Sequence, residues 1–416
     1  MKSKIQINYK KLKAVEKSFN ISLKEMKKIM KDFRAEMDKG LAGDKSSLKM
    51  LPAYADIPTG LEKGKFIALD LGGTNFRVVE IELKGGGRAK VTGTTEFKLD
   101  KRCISGSADE LFDFLAERVK IAVKKFDITA DNTVKAGFTF SFPMAQTGIN
   151  TGRLVMWTKG FSAKGVIGKN VVGLLKEALA RKGLNNIEVE ALANDTVGTL
   201  AAGSYEDKSC DIGVILGTGT NACYREHFPQ GHIIINTEWG NFNKLRLTPY
   251  DRLLDKKSHK PGEQKLEKMV SGMYLGEISS IVLRGLGLLD KNKSIKTEEM
   301  SVIESGKPTV VKKVCGLVSG RASRISAAAI AAIVKKIDPP LKRIHIIAID
   351  GSLYEKHPYF AKNMKKALKE LFGRKASRIR TALTKDGSGK GAAIIAAIAV
   401  YGEFTRERKS CNVKLY

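Results

Sequence analysis

Four short turns rich in glycine and small hydroxyl residues offer the clearest chemistry in the sequence. They are Asp70–Asn75 (DLGGTN), Gly217–Asn221 (GTGTN), Asp350–Ser352 (DGS) and Gly387–Gly391 (GSGKG). Glycine lets a backbone approach a phosphate group closely and direct its N–H groups at it, while threonine and asparagine add further donors. A single turn of this kind is explained equally well as a β-hairpin connection. The four together favour a clamp for the phosphates of a nucleotide.

Two familiar phosphate-binding motifs do not fit these turns. Gly217–Ala222 matches the pattern G-x-G-x-x-A, but the residues after it predict a strand, whereas a dinucleotide-binding turn requires a helix there. A Walker P-loop also fails, because Thr384 stands where the first glycine is needed and Gly391 replaces the serine or threonine. Neither motif therefore explains the turns.

Asp195 is the candidate for a carboxylate that accepts a proton. It follows an apolar, strand-like run and precedes the helix-like residues 196–200, so it lies at a strand-to-helix junction. A helix N-cap is the alternative, because aspartate and asparagine are both favoured there.

Strands and helices alternate along the chain and must hold these turns at their ends. Ser22 and Glu25 form an S-x-x-E capping box at the start of the first predicted helix. The predicted helices cover residues 22–40, 111–126, 169–183, 262–286, 318–337 and 391–403. The predicted strands cover residues 66–83 (two strands around a glycine pair), 89–98, 134–142, 187–192, 211–227 (two strands around a glycine turn) and 344–349. The alternation predicts an α/β fold whose two halves repeat a theme of strand, glycine turn and returning strand.

The chain carries a large excess of positive charge. Its 416 residues include 73 Lys and Arg against 44 Asp and Glu, a formal net charge of +29, and 54 of the cations are lysines. Residues 1–50 and 341–416 together hold 31 of the cations and 12 of the acids. Nucleic-acid readout favours arginine forks and stacking rings, and only 7% of the residues are aromatic, so no nucleic-acid partner is expected.

The cysteines and the apolar stretches of the sequence predict in which cellular compartment the protein resides. Five scattered cysteines argue against a disulfide framework and indicate a reducing compartment. The longest apolar stretch, Ala392–Tyr401, has about half the length that a bilayer requires. Residues 1–20 lack the apolar block of a secretory signal. The sequence thus predicts a cytoplasmic protein without a membrane span.

Nine motifs resemble those of the hexokinase family and occur in the same order as in that family, and the resemblance covers residues 22 to about 403. They are Asp70–Arg77 (DLGGTNFR), Phe140–Pro143 (FSFP), Trp157–Phe161 (WTKGF), Asn194–Gly198 (NDTVG), Gly217–Ala222 (GTGTNA), Glu238–Gly240 (EWG), Glu267–Glu277 (EKMVSGMYLGE), Asp350–Tyr354 (DGSLY) and Asp386–Ala393 (DGSGKGAA). The resemblance implies two actin-like (ribonuclease H-like) α/β domains, one small and one large, that close over a central cleft. It places the small domain at 65–193 plus 394–416 and the large domain at 1–64 plus 194–393.

The resemblance also implies an activity. Such an enzyme transfers the γ-phosphoryl group of ATP to the 6-hydroxyl of glucose and related hexoses, the first step of glycolysis. In this chain Asp195 would accept the proton of that hydroxyl, and Lys159 would stabilise the transferring group by its charge. The residues implied to hold the hexose are Ser141, Thr158, Lys159, Asn194, Asp195, Asn221, Glu238 and Glu267.

ATP and Mg²⁺ are the cofactors that the resemblance implies. The residues implied to hold the nucleotide are Gly72, Gly73, Thr74, Asn75 and Arg77 from the small domain, Gly217, Thr218 and Gly219 from the large domain, and Gly351 and Ser352 near the adenosine. Because Mg²⁺ keeps much of its hydration shell, Asp70 is expected to reach it through water. A monomer or a homodimer is expected.

The sequence departs from the family pattern in a few places. The family motif Asn-Pro-Gly reads Lys-Pro-Gly at Lys260, and residues 243–260 and 286–312 are shorter than expected, which leaves product inhibition and allostery open. Another sugar kinase of the same superfold is an alternative. A catalytically silent sugar sensor is a second, against which the retained Asp195 and phosphate turns argue.

Overall fold

The computed structural model describes residues 9–228 and 231–402, and whatever the sequence predicts for residues 1–8, 229–230 and 403–416 lies outside that part. Its strands are β1 (Leu51–Ala53), β2 (Lys63–Leu71), β3 (Asn75–Lys84), β4 (Ala89–Lys98), β5 (Val134–Phe140), β6 (Met144–Gly148), β7 (Thr151–Leu154), β8 (Ile187–Ala193), β9 (Cys210–Leu216), β10 (Thr220–Phe228), β11 (Gly231–Asn236), β12 (His345–Asp350) and β13 (Ile379–Leu383). Its α-helices are α1 (Tyr9–Phe19), α2 (Leu23–Leu41), α3 (Lys101–Ser105), α4 (Ala108–Lys125), α5 (Val171–Arg181), α6 (Asp195–Glu206), α7 (Pro249–Lys257), α8 (Lys265–Val270), α9 (Gly272–Gly285), α10 (Thr297–Ser305), α11 (Val310–Ile337), α12 (Ser352–Lys356), α13 (Phe360–Phe372) and α14 (Gly387–Gly402).

The two large sheets share one topology. The first has the strand order β4-β3-β2-β5-β8, and the second has the order β1-β11-β10-β9-β12-β13. In each, an antiparallel meander of three strands is extended by two parallel strands on the side of its first strand. We call the first sheet with α4 and α5 the small unit, and the second sheet with α2, α7–α9 and α11 the large unit. The repeat confirms the predicted α/β fold of two actin-like units.

The central strands bring the glycine turns to one edge of each sheet. Residues 66–71 of β2 are buried throughout, as expected for a strand covered on both faces. The turns 72–74 and 217–219 follow the carboxyl ends of β2 and β9 directly. The carboxyl edge is where open α/β sheets bind their ligands. The fold therefore aims both turns at the same cleft.

Helices α6 and α14 pack against each other between the two sheets. A Cβ atom on Gly391 would lie 1.8 Å from the carbonyl oxygen of Gly198, so the two backbones touch where the helices cross. A Cβ atom on Gly137 in β5 would lie 2.0 Å from a carbonyl oxygen of α14, so this helix also rests directly on the small unit's sheet. Both helices begin in the cleft, α6 at Asp195 and α14 at Gly387.

Most predicted helices are confirmed, with one exception. The Ser22 capping box forms, with the Ser22 N–H donating to Glu25 at 2.9 Å, and α2 follows it. The prediction of a single helix over 262–286 is wrong, because α8 ends at Val270 and α9 begins at Gly272. The Gly272 N–H donates to the carbonyl oxygen of Gly217 at 2.7 Å, so the chain breaks here to hold the Gly217 turn. Helix α1 was not predicted.

Helix α11 is the longest helix in the described ranges 9–228 and 231–402. By length and composition it could cross a membrane, but most of its side chains are buried. It packs against α2, α9 and α13, as the core helix of a folded domain does.

Candidate active site

A narrow pocket lies between the carboxyl edges of the two sheets, and all eight predicted sugar-binding residues line it. Its lining consists of Ser141, Pro143, Thr158, Lys159, Asn194, Asp195, Ile215, Thr220, Asn221, Glu238, Gly240, Gln264 and Glu267. Lys159, Glu238 and Gln264 have φ angles of +54°, +50° and +52°. Left-handed backbone at such residues costs about 1–3 kcal/mol each and concentrates at functional sites.

Asp195 occupies the first helical position of α6, at the end of β8. The N-cap of this helix is Asn194, whose Oδ1 accepts the Thr196 N–H at 2.9 Å and the Thr196 hydroxyl at 2.7 Å. Asp195 Oδ1 also accepts the Thr196 N–H, at 2.9 Å, while Oδ2 faces the Lys159 ammonium at 3.3 Å. The capping role therefore falls to Asn194, and one carboxylate oxygen of Asp195 is directed into the pocket.

Lys159 reaches the pocket from the segment that follows β7. Its Nζ donates to the Ser141 carbonyl oxygen at 2.8 Å as well as to Asp195. The side chain also packs on the phosphate turn, since a Cβ atom on Gly73 would lie 3.2 Å from its Cδ. A single cation thus lies between the candidate base and the first phosphate turn.

A network of amides holds Glu238. The Asn221 side-chain amide donates to Glu238 Oε1 at 3.1 Å and to Asn236 Oδ1 at 2.9 Å. The Asn236 amide donates to the same glutamate oxygen at 2.8 Å. Asn236 was not predicted; it is the last residue of β11, two positions before Glu238, and the left-handed backbone at Glu238 turns the two side chains toward each other. The amides orient the carboxylate without neutralising it.

Glu267 lies at the start of α8, opposite Glu238. Its Oε2 accepts the backbone N–H of Thr220 at 3.2 Å. Burial raises the pKa of both Glu238 and Glu267 above the ordinary glutamate value. The protein supplies few hydrogen-bond donors to these two carboxylates, which suits a neutral ligand that donates from several hydroxyl groups.

The nucleotide-side turns meet around Arg77. Its guanidinium pairs with Asp70 Oδ2, lies 2.8 Å from Asp386 and donates to the Ser388 hydroxyl at 3.1 Å. Asp350 accepts the backbone N–H of Gly387 at 2.9 Å from the adjoining turn. Arg77 is therefore directed at carboxylates. Asp350, Asp386 and Ser388 were not predicted as partners of this arginine cluster.

Burial shapes the charge of this cluster. It raises the pKa of Asp350, and it raises the pKa of Asp386 to about 6 despite the nearby Arg77. The neighbouring Asp70 charge acts in the same direction on both. One guanidinium faces three carboxyl groups, so the cluster carries excess negative charge near neutral pH.

The two phosphate turns present backbone donors to the cleft. In the described part of the chain, the N–H groups of Gly73, Thr74, Thr218 and Gly219 have no protein acceptor. At Gly351, with φ of +122°, a Cβ atom would lie 2.4 Å from the Leu216 carbonyl oxygen, so only glycine fits where the third turn packs on the second. Unpaired N–H groups in close glycine turns match the chemistry of phosphate recognition.

The other residues predicted to bind the nucleotide do not all direct their side chains into the cleft. Gly72, Gly217 and Ser352 lie in or beside the turns at the cleft. Asn75, however, directs its side-chain amide to Glu96 in β4, along the sheet. Thr74 is exposed at the tip of its turn.

Asp70 is the residue expected to contact a Mg²⁺ ion through water, and its two carboxylate oxygens differ in their partners. Its Oδ2 is taken by Arg77 and by the Ser388 hydroxyl at 2.9 Å, whereas Oδ1 accepts no hydrogen bond from residues 9–228 or 231–402. In the same residues, no group of three or more His, Cys, Asp or Glu side chains is arranged to hold a metal ion. The donors thus fit a Mg²⁺ ion bound mainly by phosphate and water, with Asp70 in contact through water.

Comparisons with known proteins extend over both units. Two family models, both described as hexokinase, match residues 11–205 and residues 211–310 with 288–398. Hexokinase-7 of Oryza sativa subsp. japonica is 41% identical over 421 residues, which cover 87% of this chain and 91% of that relative. Hexokinase HKDC1 of Homo sapiens is 37% identical and is covered to 49%, so this chain spans about half the length of that relative.

A solved structure shows the same arrangement. The hexokinase from Schistosoma mansoni complexed with glucose is 35% identical to this chain and superposes with a TM-score of 0.85. The match covers 94% of this chain and 98% of the other. The similarity therefore includes both sheets, the helices between them and the pocket.

Proposed function

This chain belongs to the hexokinase family, and we propose that it transfers the γ-phosphoryl group of ATP to the 6-hydroxyl of glucose or a related hexose. The observation that carries the proposal is the convergence of all eight predicted sugar-binding residues, from both units, on one pocket. A hexose offers hydroxyl groups that both donate and accept, and the pocket combines amides, hydroxyls and partly buried carboxylates to match them.

Asp195 is the general base in this proposal. Its Oδ2 points into the pocket and is 3.3 Å from Lys159 Nζ, so the proposed base lies beside the cation proposed to assist the transfer. The carboxylate would take the proton from the 6-hydroxyl as the phosphoryl group is transferred. Lys159 lies between this base and the Gly73 turn, where its charge would stabilise the group in transfer.

The nucleotide phosphates would be held by the free backbone donors of the turns 72–74 and 217–219, with Gly351 and Ser352 near the adenosine. Mg²⁺, when bound, neutralises charge on the phosphate oxygens. Arg77 would keep Asp70, Asp386 and Ser388 in a fixed arrangement beside the phosphates. In this arrangement the backbone N–H groups contact the phosphates, while the side chains of Arg77, Asp70 and Asp386 set the charge beside them.

We further place the activity at the first step of glycolysis in the cytoplasm. The four cysteines in the described ranges, Cys103, Cys210, Cys223 and Cys315, are free and buried, in keeping with a reducing compartment. The product, a hexose phosphate, is the entry compound of that pathway.

A coupled assay for ADP formation tests the proposal. Purified protein with Mg-ATP is offered glucose, mannose, fructose and N-acetylglucosamine in turn, and we expect ADP release that depends on the hexose. Asp195→Asn, which keeps the shape of the side chain, should bind glucose but lose about 10²–10⁴-fold in kcat, the contribution of a general base.

Two results would contradict the assignment. Near-normal kcat in Asp195→Asn would remove the base from the mechanism. No hexose-dependent ADP release by the unaltered, folded protein would leave a silent sugar sensor, and the sugar that gives the highest kcat/KM would separate a glucose kinase from another sugar kinase.

A further inference from the structure

The segment that carries Thr158 and Lys159 is anchored in the small unit through Trp157. The Trp157 ring is buried in the core of that unit and stacks on Phe161 with centroids 5.2 Å apart. Its indole N–H donates to the Ala163 carbonyl oxygen at 2.8 Å. The Trp157 side chain thus belongs firmly to one side of the cleft.

The backbone of the same residue is held from the other side. Lys260, between α7 and α8 of the large unit, donates from its Nζ to the Trp157 carbonyl oxygen at 2.8 Å. Beside it, Lys49 Nζ lies 3.1 Å from the Met156 sulfur. Two cations of the large unit therefore contact two consecutive residues of the small unit.

The loop that presents Lys260 is itself fixed in place. Asp255 accepts the Gly262 N–H at 3.0 Å and the Lys268 ammonium at 2.5 Å. Lys268 also donates to the Lys260 carbonyl oxygen at 2.7 Å, and only 4% of Lys268 is exposed. Burying a lysine is costly unless it is paired. This one, in α8, is paired with Asp255 of α7 and with the Lys260 carbonyl oxygen, so the loop is held between the two helices and forms a rigid base for Lys260.

We propose that Lys260 is a positioning residue that latches the small unit onto the large unit when the sugar cleft closes, an inference that rests on the proposed hexokinase activity. The bond ends at the residue immediately before Thr158 and Lys159, both of which line the sugar pocket, whereas Lys159 is held against Asp195 by its own contacts to Ser141 and Asp195. Because the bond joins the two units, it stabilises the closed form and leaves the open form unaffected. Its free energy therefore adds to hexose affinity.

The sequence is consistent with this role at one further point. Lys260 stands where the family pattern has asparagine, whose side-chain nitrogen is two bonds closer to the backbone than a lysine ammonium. Lys260→Asn therefore shortens the side chain and tests the reach that the bond to the Trp157 carbonyl oxygen requires.

Lys260→Met tests the latch, because it removes the charge and the donor while it preserves most of the side-chain length. We expect the hexose KM to rise about tenfold, the effect of losing one hydrogen bond to a charged group, while kcat stays within about twofold. A tryptophan-fluorescence titration with glucose and no ATP should show the same rise in Kd. The thermal midpoint should not change.

Matched variants separate the latch from a structural role. Lys260→Arg, which keeps a long cationic donor, should restore the hexose KM, and Lys260→Asn should behave like Lys260→Met. Lys257→Met, at an exposed position of α7, should leave every quantity unchanged.

An unchanged hexose KM and Kd in Lys260→Met would overturn the latch, as would an equal rise in Lys257→Met. A lower thermal midpoint with unaltered KM would mark Lys260 as merely structural and would also overturn it. Failure of the unaltered protein to phosphorylate any hexose would instead contradict the proposed function, and the fluorescence titration would still decide the latch.

Discussion

The two halves of the cleft treat carboxylates in opposite ways. On the sugar side, Glu238 and Glu267 are held by neutral amides and one backbone N–H, and burial raises the pKa of both. On the nucleotide side, Asp70 and Asp386 are gathered around a single guanidinium, that of Arg77.

The difference follows from the ligands proposed for each half. A hexose is neutral, so acceptors there need no counter-charge and gain most when the ligand itself supplies the donors. A nucleotide arrives as an anion with a metal ion, so a cation such as Arg77 is needed to hold in place the carboxylates that lie beside the phosphates. Changes on the two sides should accordingly affect different kinetic constants.

Glu267→Gln should have the largest effect in this comparison. The amide keeps the shape but loses a charged acceptor, so kcat/KM for glucose should fall about 10²-fold while the KM for ATP changes little. Steady-state kinetics with each substrate varied in turn measures both constants. Glu263→Gln, an exposed neighbour, serves as the control. An equal loss for ATP would show that the two halves are not separate.

Arg77→Lys should have a smaller effect on the opposite side. An ammonium cannot pair with Asp70, Asp386 and the Ser388 hydroxyl together as the guanidinium does, so the KM for ATP should rise about tenfold. The Kd for glucose, titrated without ATP, should stay the same. Arg88→Lys, at an exposed position, is the matched control. Weaker glucose binding in Arg77→Lys would contradict the division.

The smallest expected effect is a pH dependence of hexose binding, measured without the nucleotide. The hydroxyl groups of a bound hexose would donate hydrogen bonds to Glu238 and Glu267 and so favour the ionised carboxylates. Because burial raises the pKa of both groups in the free protein, hexose binding should release protons. Affinity should therefore weaken a few-fold as pH falls from about 7 to about 5. Calorimetry without ATP, in two buffers of different ionisation enthalpy, measures the released protons, and Glu267→Gln should release fewer. No proton release would exclude these carboxylates as hexose ligands.

The position of the glycine turns at the strand ends was predictable from the sequence because it depends on local residue types. Glycine, threonine and asparagine at a strand end carry their meaning in residue type and spacing, and the β2 and β9 turns lie where the strands place them. Glu238 and Glu267 are different, since a lone carboxylate in a sequence gives no sign of its burial. Their assignment depended on the family resemblance.

What could not be predicted depends on contacts between distant segments. Asp350 and Ser388 meet because β12 ends and α14 begins at the same edge. The helix break before Gly272 exists because the Gly217 turn packs there. Residues 194 and 195 could both cap α6, so residue type left the capping role open. Only the geometry of the folded chain assigns it to Asn194.

The crossing of α6 and α14 also limits how this sequence can diverge. One helix starts at the proposed base, Asp195, the other at Gly387 beside the nucleotide turns, and their backbones touch at Gly198 and Gly391. A change to a larger residue at either glycine would alter the spacing between base and phosphate without touching any ligand. Variants with a new sugar or nucleotide preference should therefore be sought among the residues that line the pocket. Gly198 and Gly391 should be left unchanged, because they set the distance between the two substrates.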